Sequence, residues 1–301
     1  MIDPILSFGA KRRMRSLQTP ILLTLYAVLL ALMAYFTVYS PFLGAGVTLL
    51  TMRSSVQGYG FMVALQFALL VLIAPAMTAG SISGERERQT LDLLLVTNTG
   101  SLRIVLGKLL ESFGFLALLV LCSLPMLSLV LLTGGATFGQ VLVSVLFLLI
   151  VALAGLSVGL FCSTLCRRTV SATVTAYLVM LGIGVLTLIP LWHDVHQIDL
   201  LYQAMDTGGR EIASLDYQAV SFSINPALGL FDLLWVQTGM FDTLIWSVSY
   251  TLGNTIRLLP FSRYLTVNMI FMSAASLVLC GLAALRVRNG GKKRRKGRAK
   301  A

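Results

Sequence analysis

Gly84-Glu85-Arg86-Glu87-Arg88-Gln89-Thr90-Leu91-Asp92-Leu93-Leu94-Leu95-Val96 sets a dense charged cluster between two long apolar runs. Wound as a helix, this stretch carries Leu91, Leu94 and Leu95 on one side and Glu85, Arg88, Gln89 and Asp92 on the other. Arg88 and Asp92 stand at the spacing of a helical ion pair. Thr97-Asn98-Thr99-Gly100 is a turn-forming run that ends the pattern, and Ser101 supplies a cap for the next helix. The expectation is a short amphipathic helix on the water side of a membrane, between two crossings. On geometry alone, an ordinary charged loop at the membrane surface fits equally well.

The remainder of the chain explains why that surface belongs to a membrane. Of 301 residues, 57% are hydrophobic and 12% charged, and the mean hydropathy of +0.87 lies outside the range of soluble domains. Six apolar runs, at 20–39, 61–79, 104–132, 141–165, 170–191 and 264–285, each reach the roughly 20 residues that a helix needs to cross a hydrocarbon core about 30 Å thick. The predicted fold is therefore an all-α membrane protein with six transmembrane helices. Lys11, Arg12, Arg13 and Arg15 precede a run of full spanning length, so the first span serves as its own insertion signal.

The formal net charge is +11, yet the cations crowd the ends of apolar runs, where they orient a membrane protein; nucleic acid is not expected as a partner. With the amino end inside, only Arg53, Arg210, Arg257 and Arg263 of the 23 Lys and Arg residues fall outside. Both termini are thus expected in the cytoplasm. A seventh crossing at 228–252 would move the basic tail outside and would bury Asp232, Gln237 and Asp242 at bilayer depth. That segment reads instead as an interfacial or re-entrant helical pair within an external region at about 192–263, with Trp192, Trp235 and Trp246 at headgroup level. Residues 2–17 mix Ile5, Leu6, Phe8 and Met14 with the four cations, the pattern of an interfacial amphipathic helix. A plain basic flank is the alternative.

The wording of residues 84–97, followed by Ile104-Val105-Leu106-Gly107-Lys108-Leu109, resembles the hallmark of type-two ABC exporter permeases. Pro4, Arg13-Met14-Arg15 and Leu22-Leu23-Thr24-Leu25-Tyr26 are similar to the start of such permeases, and Asn225-Pro226-Ala227, more weakly, to the region ahead of their last span. Thr97-Asn98-Thr99 departs from the Thr-Pro often found there. The resemblance implies one exporter transmembrane domain over 1–285, a basic cytoplasmic tail over 286–301, and a bacterial cell membrane as its location. It further implies that the charged segment is a coupling helix: Gly84 the hinge, Glu85, Arg86, Glu87, Arg88 and Gln89 the polar contacts with a cytoplasmic ATPase, and Thr90, Leu91 and Leu94 the packed core of that contact. Cytoplasmic ABC ATPase subunits, a second permease subunit (the same chain or a related one) and membrane lipids are the implied partners. No cofactor is expected on this chain, with ATP and Mg on the partner. No P-loop is present, because Gly107-Lys108 is followed by Leu109 and Gly100 is too distant.

Other motifs have plainer readings. Gly155-Leu156-Ser157-Val158-Gly159 matches a nucleophile pattern, but the only histidines, His193 and His196, lie at the far end of the fifth span. The two glycines, one turn apart, predict close helix packing. His193, Asp194, His196 and Asp199 form a metal-like grouping that lacks a clear third ligand, and Cys162 and Cys166 read as small buried hydrophobes. Lys108 and Glu111 are expected to pair at the inner interface, as a structural or gating pair. Asn254 and Asn268 suit helix contacts, and Lys292-Lys293-Arg294-Arg295-Lys296 is a topology anchor or a site for acidic lipid headgroups. A membrane-embedded enzyme and a non-transporting anchor or sensor are the rival functions.

Overall fold

A computed structural model describes residues 18–39, 43, 49–89, 100–205, 224–238 and 261–298, and all of the described secondary structure is helical. The helices are α1 (Gln18–Ala34), continued by a π-helical turn at Tyr35–Tyr39, then α2 (Leu49–Glu87), α3 (Ser101–Cys122), α4 (Leu124–Leu132), α5 (Phe138–Leu165), α6 (Thr169–Met205), α7 (Pro226–Thr238) and α8 (Phe261–Arg298). Among the described residues, six stretches are long and apolar enough to cross a membrane: Pro20–Thr37, Ser54–Glu87, Ser101–Leu132, Phe138–Leu165, Thr169–Thr187 and Leu265–Arg288. Each coincides with one of the six expected runs. The interfacial helix expected at 2–17 lies outside the described residues, as do Asn254, Trp246 and everything else in 239–260.

Boundaries moved where polarity hid helicity. α2 has 39 residues, about 58 Å at 1.5 Å per residue, roughly twice the hydrocarbon thickness. Its first turns contain Arg53 and Gln57, which an apolar count discards although both are good helix formers. The third span is two helices, because Pro125 lacks the amide for a continuous ladder and sits near the start of α4. Ser123 closes the break by donating its hydroxyl to the Val120 carbonyl at 2.6 Å. α5 starts at a reciprocal cap: the Thr137 hydroxyl accepts from the Gln140 amide, and the Gln140 side chain accepts from the Thr137 amide at 2.7 Å. α8 runs without a break into the basic tail as far as Arg298.

The chain forms two compact units, residues 1–180 with 273–301, and residues 181–272. In the first, α2 and α5 are the central pair. Leu70, Ala74 and Ile82 of α2 pack with Leu148, Ala152, Leu156 and Leu160 of α5, with Tyr26 and Leu30 of α1, Leu116 and Leu119 of α3, and Cys280, Ala283 and Ala284 of α8 around them. The backbones meet at Gly155 and Gly159. A Cβ at Gly155 would lie 2.9 Å from that of Ala74, and one at Gly159 would collide with the Pro75 carbonyl and the Thr78 hydroxyl. Thr78 donates across this contact to the Leu156 carbonyl at 2.7 Å. The G-x-S-x-G pattern is thus the small-residue seam of a helix pair, and Ser157 donates to Ala154 of its own helix.

In the second unit, Asn225 caps α7 by accepting from the Ala227 amide at 2.8 Å. Its side-chain amide donates to Thr187 of α6 at 2.7 Å, while Asn268 of α8 donates to its carbonyl at 3.2 Å. Asn268 therefore makes the helix contact expected of it. Of the helical pair expected at 228–252, α7 accounts for the first part and the rest lies outside the described residues.

Candidate functional site

The charged segment begins inside α2 rather than as a separate helix. Gly84–Glu87 are the last turn of that long helix, closed by Arg88 N donating to Gly84 O at 3.0 Å and Gln89 N to Arg86 O at 3.2 Å. Gln89 takes φ 59°, the left-handed conformation that ends many helices and that glycine adopts more cheaply. The amphipathic helix expected to follow, with Thr90, Leu91 and Leu94, lies outside the described residues. Gly84 is helical, and a Cβ there would lie 3.3 Å from the Thr169 methyl of α6, so it marks a close approach between helices.

Three consecutive side chains then face three different neighbours. Glu85 accepts from Lys108 Nζ of α3 at 2.5 Å, and the same ammonium donates to the Ser81 carbonyl at 2.5 Å. Arg86 turns to the end of α5, donating to the Cys166 carbonyl at 2.9 Å and lying 3.4 Å from the Thr164 carbonyl. Glu87 turns to the start of α6, accepting from the Thr169 hydroxyl at 3.0 Å and the Thr169 amide at 3.3 Å.

The electrostatic sense of the last two contacts is complementary. A helix leaves unpaired carbonyls at its carboxyl end and unpaired amides at its amino end, equivalent to about half a unit charge of each sign. Arg86 meets the negative end of α5, and Glu87 meets the positive end of α6. A third link lies one turn below, where the Ser163 hydroxyl of α5 accepts from the amides of Ile82 and Ser83 at 2.9 Å each. The foot of α2 is therefore a clasp that binds α3, α5 and α6 at one end of the bundle.

All five residues expected to form polar contacts with a partner lie at this foot, but Glu85, Arg86 and Glu87 have partners within the chain. Arg88 and Gln89 are exposed. Lys108, expected to pair with Glu111 on its own helix, makes its ion pair across to Glu85, and Glu111 sits half-buried one turn further along α3. Thr169 was missed altogether. Its only sequence signal was its place as a helix-starting threonine after Arg167-Arg168.

Among the described residues no cluster of His, Cys, Asp or Glu is placed to hold a metal. The side chains of His193, Asp194, His196 and Asp199 lie outside the described set. Cys162 is buried, and Cys166 approaches the Thr175 hydroxyl at 3.6 Å.

No curated protein matches the chain. A family model described as ABC-2 family transporter protein matches residues 37–285, a stretch that takes in the whole clasp, four complete spans and most of the last one. Matched over that length, and with six apolar membrane-spanning stretches among its described residues, the chain belongs to the ABC-2 transporter family.

Proposed function

We propose that the chain is the permease subunit of an ATP-binding cassette exporter and that the foot of α2 receives the stroke of a partner ATPase. Family membership implies ATPase partners in general. ATP and Mg belong to that partner, and two permease subunits, identical or related, complete the assembly in a bacterial cell membrane. Arg86, Arg88, Arg103, Lys108, Arg167 and Arg168 gather at this end of the bundle, which supports its reading as the cytoplasmic end by the positive-inside rule. Both termini then lie in the cytoplasm.

The observation that carries the reading is the pair of contacts from Arg86 and Glu87 to the ends of α5 and α6. A push on the connection after Gln89 reaches α2 directly, α3 through Lys108, and α5 and α6 through these two side chains. Arg88 and Gln89, exposed at the tip, and the leucines beyond them form the surface that meets the ATPase, with charge giving orientation and Leu91 and Leu94 the anchor.

Gln89→Cys tests this in one experiment. The thiol is expected to react with a membrane-impermeant maleimide in inverted vesicles but not in intact cells, and to cross-link to an ATP-hydrolysing chain that co-purifies with the permease. Labelling from outside intact cells, or cross-linking that never captures an ATP-hydrolysing chain, overturns the assignment.

A further inference from the structure

We propose that Asp232 is a proton-binding site, neutral while α7 is seated against α8 and ionised when α7 pivots away. Asp232 stands two turns along α7 from Asn225, the residue that ties the start of this helix to α6 and α8. It is 3% exposed, followed by Leu233 and Leu234, which are equally buried, and neither carboxylate oxygen has a hydrogen-bond partner. An ionised carboxylate in such a place would lack both water and a counter-charge.

Among the described side chains of residues 181–272, Asp232 is the only ionisable group. The Leu265 backbone of α8 favours the ionised form, but no hydrogen bond to either carboxylate oxygen is completed. Burial pushes the Asp232 carboxyl up to about 7, with the Leu265 amide pulling the other way. No second carboxylate, cysteine or histidine is at hand to complete a cation site among the described residues. The ligand assigned to this buried, unpartnered carboxyl is a proton.

Ionisation favours movement of Asp232 toward water. Because α7 is pinned at Asn225, its amino end stays fixed and its far end, with Trp235 and Gln237, swings. This gives the α7 helix two positions selected by proton occupancy, independently of any ATPase.

The test uses the full chain in lipid nanodiscs with Trp192→Phe and Trp246→Phe, so that Trp235 is the sole indole. Infrared absorbance of protonated carboxyl groups and acrylamide quenching of Trp235 are followed from about pH 5 to about pH 9. The expected result is loss of a carboxyl band with a midpoint near 7 and a rise in quenching of about twofold over the same interval. Asp232→Asn abolishes both changes and stays weakly quenched, whereas Asp232→Glu restores a titration. A band that persists unchanged in Asp232→Asn, or that titrates in the ordinary carboxylate range, overturns the proton site. Quenching that stays flat while the band titrates overturns the pivot. Neither result bears on the ATPase contact.

Discussion

Lys108→Ala isolates one strand of the clasp. Lys108 Nζ and Glu85 Oε1 are 2.5 Å apart, with the two side chains 18% and 23% exposed. At an effective dielectric near 20 the gross attraction is roughly 6–7 kcal/mol, most of it offset by the cost of drying both groups. Breaking a fully buried pair costs about 3–5 kcal/mol, and breaking an exposed one about 0.2–1 kcal/mol. At about one-fifth exposure the expected loss is about 2 kcal/mol, including the bond to the Ser81 carbonyl. Glu85→Gln/Lys108→Met removes both charges and is expected to cost only about 1 kcal/mol, since no charge is left stranded. The assay is reversible unfolding in mixed micelles, run as a double-mutant cycle. The expected coupling energy is about 1–2 kcal/mol. Additive effects, or a loss below about 0.5 kcal/mol for Lys108→Ala, would refute the view that this contact holds α2 to α3.

Arg86→Ala is expected to leave the last carbonyls of α5 unpaired, costing about 1–2 kcal/mol and raising amide exchange near Cys166 by roughly tenfold, with Arg86→Lys recovering part of the protection. Unchanged exchange there would remove Arg86 from the clasp. Gly159→Ala forces a methyl into the Pro75 carbonyl and should destabilise the α2–α5 pair by about 1–3 kcal/mol, read as a lower melting temperature in nanodiscs, whereas Gly182→Ala, whose added methyl meets nothing within 4 Å, should be close to neutral. Asp232 predicts a pH dependence of stability. Its carboxyl is raised from 3.8 to about 7 in the folded chain, so its contribution is intact below about pH 4 and is lost as pH rises through about 7. Relative to Asp232→Asn, the parent chain should lose up to about 4 kcal/mol across that interval, and a loss on acidification instead would contradict the burial argument.

The six spans were legible because a hydrocarbon core leaves its mark on some twenty consecutive residues, and a few misplaced boundaries do not erase it. Pro125 carried the break in the third span in plain view, but the run around it is so apolar that the crossing masks the kink. The contacts at the foot of α2 were not legible. Arg86 and its carbonyl acceptor at Cys166 are 80 residues apart, and Glu87 and Thr169 are 82 apart, distances over which no local periodicity speaks. Lys108 shows the limit most clearly. Sequence offers it Glu111 one turn away, and only the packing of α3 on α2 brings Glu85 nearer. Composition put the charges beside the ends of the spans, and the neighbouring helix ends then decided their use.

Arg86 and Glu87 are adjacent, so transposing them would leave amino-acid content, net charge and span hydropathy untouched. It would nonetheless set a carboxylate against carbonyl oxygens and a guanidinium against an amide hydrogen. Local polarity here is written in letter order, and a protein engineered only to match bulk statistics would have even odds of assembling this corner with its signs reversed.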